Sequence, residues 1–228
     1  AMSTTATEQT TPTGGQMAAV QHPADELRSL ASLYSFLARA LSDDEIGADA
    51  LASLAATAND LQTDTELDGF ARDLAGLDGE GLERVRRELA ADHASCLLGM
   101  SPHPVAPYAS VYTSTKHLMM QEARDQAVHA YAKAGFAVDD ACRIPEDHVS
   151  IELGFMAALL EHVAAGDGNE ALQACRAYRD FVIDHALTWM PQFCDELERR
   201  AGTPFYRGAA QTLRTLLESE RERLGSAA

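Results

Sequence analysis

Apolar residues in this chain recur three or four positions apart, and no convincing run alternates in the way a strand requires. Leu27, Leu30, Leu33, Tyr34, Leu37 and Leu41 trace one such stripe, with Arg28 and Arg39 off it. Leu82, Val85, Leu89, His93 and Cys96-Leu97 trace another, opposite Glu83, Arg84, Arg86, Arg87 and Glu88. Stripes of that period bury against other helices. The expected fold is therefore all-α, a single globular multi-helix bundle of roughly eight to ten helices with short connections.

Helix breakers divide the chain. Residues 1–22 are rich in Thr, Gln, Gly and Pro, which predicts a disordered tail ahead of one helical domain over 23–228. Ser42-Asp43-Asp44-Glu45 reads as a stop and capped restart, with a short helix to about Leu61 and another over 64–77. Gly99 to Pro107 holds three prolines in its last six residues and must be extended. Helix resumes at about Ser114 and runs to Lys133, with Gly135 as its stop. Gly166-Asp167-Gly168 makes a tight turn, and Met190-Pro191 predicts a kink or restart.

The chain carries 18 Lys and Arg against 35 Asp and Glu, a formal charge of −17. That balance disfavours nucleic acid and anionic membrane and suits a cationic partner, or else serves solubility alone. Cys96, Cys142, Cys175 and Cys194 form no CxxC pair, which fits reduced core thiols in a cytoplasmic protein. No apolar run reaches the ~18 residues of a membrane span, and the start lacks the pattern of a secretory signal.

Ile144 to Met156 concentrates the polar chemistry. Pro145 suits a helix start, Glu146 and Asp147 suit its first turn, and His148 and Glu152 stand four apart on one face. Asp147, His148 and Glu152 form an acid–base inventory, yet adjacent helical residues point about 100° apart and cannot easily converge on one atom. There is no Gly-x-Ser-x-Gly elbow, no phosphate loop and no third ligand to make a metal site. A carboxylate–histidine patch with nearby Tyr108 and Tyr112 fits better the binding of a peptide carrying arginines beside apolar residues. Core packing is the competing reading for both tyrosines and the expected one for His93.

Four ordered blocks carry a resemblance. Arg28-x5-Tyr34-x2-Leu37 comes first, then Pro107-Tyr108-x-Ser110-Val111-Tyr112. Pro145-x-Asp147-His148-x3-Glu152-Leu153-x-Phe155-Met156 follows, and last Phe181-x3-His185-x3-Trp189-x-Pro191-x-Phe193 with Phe205-Tyr206. Across about residues 25–220 the chain resembles the TorD/DmsD family of cytoplasmic molybdoenzyme maturation chaperones and their NarJ relatives. Ala109 stands where that family usually has glutamate, and Ile144 where an acidic residue often precedes the proline.

The resemblance implies a TorD-like, non-enzymatic chaperone without a cofactor of its own. Such a protein binds a molybdopterin-dependent, DMSO-reductase-type apoprotein, its twin-arginine leader peptide, or both, until cofactor insertion and export. It implies peptide contacts at Tyr108, Ser110, Tyr112, Pro145, Asp147, His148 and Glu152. It also implies weak guanine-nucleotide binding in some relatives, and a monomer or a domain-swapped dimer. Two alternatives stay open: a NarJ-like factor gripping the mature client body, and a nucleotide-binding or hydrolysing protein using Asp147 and His148.

Overall fold

The computed structural model describes residues 23–56, 62–139, 141–166 and 168–225. The tail expected over 1–22, the end of the second helix near Leu61, and Asp167 of the expected turn lie outside the described residues. Ten α-helices and one π-helical turn account for the regular structure there. They are α1 (Pro23–Ala40), α2 (Ala48–Ala56), α3 (Glu66–Ala75), α4 (Gly79–Cys96), α5 (Ala109–Thr113), α6 (Glu122–Lys133), α7 (Val149–Ala165), α8 (Gly168–Phe181), α9 (Leu187–Arg200) and α10 (Pro204–Gly225). The π-turn, Val182–Ala186, joins α8 to α9. The all-α expectation holds.

The bundle is built around α7. Val149, Glu152, Leu153, Phe155, Met156, Ala157, Leu159 and Leu160 are all buried, so this helix is apolar on most sides. A helix with that pattern belongs at the centre of a core. α1 lies along one side of it and α8 along another, while α9 packs on α10 and α10 on α3. One core cluster runs from Ala31 to Leu224. At Gly208 of α10 a Cβ would stand 2.3 Å from the backbone nitrogen of Leu67, so only glycine permits this approach to α3.

Caps set the boundaries. Thr65 caps α3 through the Leu67 amide, and Asp78 caps α4 through that of Gly81. Asp92 reaches from α4 to accept the amides of Gly202 and Thr203, fixing the entry to α10. His93 is the core histidine expected, with Nε2 2.9 Å from the Ser42 carbonyl and its ring stacked on Tyr206.

Three sequence expectations give way. The helix expected from Ser114 to Lys133 is broken: α5 ends at Thr113, α6 begins at Glu122, and His117 and Met120 take left-handed backbone angles between them. The α7 helix begins at Val149, not Pro145, with His148 as its N-cap. Pro191 lies inside α9, immediately downstream of the π-turn, so the chain continues through it. A proline withholds the N–H that the carbonyl four residues earlier would accept, and π-turns are a common place for a helix to absorb such a fault. The thiols also divide: Cys96 and Cys194 are buried, Cys142 is half-buried and Cys175 exposed.

Candidate functional site

The Ile144–Met156 segment and the Pro107–Tyr112 segment are stitched together. The Ala109 amide donates to the Asp147 carbonyl at 3.0 Å, and the Val149 amide to the Pro107 carbonyl at 2.8 Å. Tyr108 and His148 thus face each other across an isolated antiparallel bridge, their rings edge-on at 5.0 Å. Asp147 Oδ2 accepts the Ser110 amide at 2.8 Å, and Ser110 Oγ accepts the Gln121 amide at 3.0 Å. Asp147 therefore caps α5, and Ser110 holds the chain entering α6.

His148 turns inward. Its Nδ1 accepts the Ser150 amide at 3.1 Å and lies 2.8 Å from Ser150 Oγ, which makes the imidazole the cap of α7. With Nδ1 accepting, the ring proton sits on Nε2. That nitrogen lies 3.4 Å from Oδ1 of Asp43, in the turn after α1. The expected meeting of His148 with Glu152 does not occur.

Glu152 instead anchors a buried junction. One carboxylate oxygen lies 2.6 Å from His185 Nε2, and the other accepts the Trp189 indole N–H at 3.0 Å. Trp189 stacks on Tyr112, whose hydroxyl donates to Glu196, and His185 stacks on Phe181. Burial pushes the Glu152 carboxyl upward against the opposing pull of His185. Burial alone would lower His185, but the Glu152 carboxylate outweighs it and the balance is upward. Both shifts favour the protonated form of each group. The π-turn is what carries His185 into this position.

Of the seven residues expected to contact a peptide, Ser110, Asp147, His148 and Glu152 are at most 1% exposed. Tyr108, Tyr112 and Pro145 are half-buried and reach the surface. The segment's remaining carboxylate, Glu146, is clamped by Arg124 through two bonds of 2.6 and 2.7 Å. Arg124 and Asp43 were missed in the sequence because their partners lie far along the chain. Asp43 carried only the signal of a helix stop.

A second feature hangs on α5. Leu118, Met119 and Met120 are 54%, 41% and 56% exposed. The segment that presents them is pinned by His117 Nδ1 to the Val111 carbonyl and by the Gln121 side-chain amide to the carbonyls of Met119 and Met120. Left-handed φ angles of 51° at His117 and 59° at Met120 show that this turn is held against backbone preference. Among the described residues no group of His, Cys, Asp and Glu could hold a metal ion, and no helix is long and apolar enough to cross a membrane.

The family model described as nitrate reductase delta subunit matches residues 59–195, which contain both stitched segments and the Glu152 junction. The chain belongs to this family, the NarJ/TorD group. Among curated relatives, it is 31% identical over 140 residues to the chaperone protein TorD of Vibrio cholerae serotype O1, covering 59% of this chain and 61% of that one. It is 41% identical over 81 residues to the chlorate reductase assembly chaperone protein of Ideonella dechloratans, covering 35% of this chain and 41% of the relative. A TorD of Photobacterium profundum is 28% identical over 132 residues, or 58% of this chain and 61% of that protein. The match thus spans less than two thirds of these relatives' length.

Proposed function

We propose that this NarJ/TorD family member is a non-enzymatic chaperone for maturation of a molybdopterin-dependent oxidoreductase. It acts in the cytoplasm by holding the client's twin-arginine leader, or the apoenzyme behind it, until cofactor insertion. The observation that carries this reading is the inversion around α5. The polar groups of the signature segment are spent inside, at Asp147, Glu152 and His185, while apolar Leu118, Met119 and Met120 face out. A catalytic group must reach a substrate; these are buried and bonded to one another. Methionine-bearing surfaces, in contrast, adapt to varied apolar segments. The names of the TorD and chlorate reductase relatives support a chaperone role.

Co-purification with the reductase encoded nearest to this chain, with and without its leader, tests the reading. Retention of the full client and loss of the leaderless one supports leader binding. Equal retention moves the grip to the mature body, the NarJ-like alternative. Recovery of neither client refutes the proposal.

A further inference from the structure

All three carboxylates of the signature segment are occupied or enclosed: Glu146 by Arg124, Glu152 by His185 and Trp189, and Asp147 by its burial and the Ser110 amide. The carboxylate that reaches solvent beside them belongs to Asp43, whose side chain is 40% exposed. It lies against His148, which is itself 1% exposed. Because Nδ1 of that ring accepts the Ser150 amide, the imidazole turns its Nε2 edge toward Asp43. The same contact, ahead of the opposing effect of burial, holds the Asp43 carboxyl below its usual range.

The half-buried Tyr108 ring, edge-on to His148, lies in the field of two carboxylates. Its hydroxyl is pushed up to about 12, first by burial and then by Asp43 and Asp147. Asp147 adds a fully buried Oδ1 with no hydrogen-bond partner. Among the described residues neither Asp43 nor Asp147 forms an ion pair with a lysine or arginine. An exposed carboxylate at Asp43, a buried carboxylate oxygen of Asp147 without a partner and a half-buried tyrosine within the influence of both match a planar cation. Guanidinium bonds a carboxylate through its fork and stacks on aromatic rings, whereas ammonium does only the first well.

We propose that Asp43 and the accessible part of Tyr108 seat one arginine side chain of the bound leader, and that His148 is the positioning residue for Asp43. This rests on the leader-binding reading above. The test is fluorescence anisotropy with a labelled peptide carrying two adjacent arginines ahead of an apolar run, and with its diglutamine counterpart. The ratio of the two Kd values measures arginine preference. It is expected to be on the order of tenfold or more for the wild type, the scale of one charge-assisted bond. In Asp43→Asn the ratio falls toward one, while the melting temperature is unchanged. In His148→Asn, where asparagine can still cap α7 but no longer reaches Asp43, the ratio falls part of the way. A full arginine preference retained in Asp43→Asn overturns the seat and leaves leader binding intact. No arginine preference in the wild type overturns the leader reading together with the seat.

Discussion

Two regions anchored on α5 distribute polarity in opposite senses. On one side, the Asp147–His148 and Glu152–His185–Trp189 groups are polar and enclosed. On the other, Leu118-Met119-Met120 is apolar and exposed. An interior polar cluster is costly unless each member is satisfied, so it fixes geometry more than it adds stability. An exposed apolar turn held in left-handed backbone has no folding benefit of its own. Together they read as a rigid underside and a presenting surface.

The largest expected effect is on the enclosed side. Glu152→Ala leaves the His185 imidazole and the Trp189 indole N–H without their acceptor, and should cost about 3–5 kcal/mol, read as a lower urea midpoint. Asp147→Ala frees the Ser110 amide and loosens α5 at a cost of about 1–2 kcal/mol by the same measurement. A cost for either within the noise of a surface substitution would break the contrast.

The junction also sets a pH dependence. The folded-state pKa of His185 is raised, so its stabilising contribution is full below the unfolded histidine value of ~6.5 and is lost as pH rises through the folded value. Glu152 is raised as well, and a folded state that binds its proton more tightly likewise loses stability as pH climbs. Urea midpoints should therefore fall as pH rises past the unfolded values, from ~4.3 for Glu152 and from ~6.5 for His185, and Glu152→Gln should flatten that decline.

Much of the bundle was legible because α1 and α4 each bury a stripe of ordinary helical period. The break at 114–121 was not, since His117 and Met120 are not residues whose type announces a left-handed backbone. Nor was the start of α7. Pro145 invites placement at a first helical turn, and histidine is not among the usual caps, yet His148 fills that role. The family blocks found the right segments, but they could not say which side chains face out. That depends on Asp43, Arg124, His185 and Trp189, brought in from other elements.

Smaller effects belong to the presenting side. Replacing Leu118, Met119 and Met120 together by serine should leave stability within about 0.5 kcal/mol while weakening leader binding several-fold by calorimetry. Met120→Gly should raise stability slightly, by about 0.5–1 kcal/mol, because glycine accepts φ near 59° without strain. A destabilised glycine variant would show that this methionine packs where it is assigned to present.

Backbone hydrogen exchange, with and without the client's leader peptide, tests the central claim most directly. The account predicts slowed exchange in the Leu118–Gln121 turn and at Tyr108, with amides of the α7 interior already protected and little changed. Protection confined to other elements, such as α3 and α10, would contradict it.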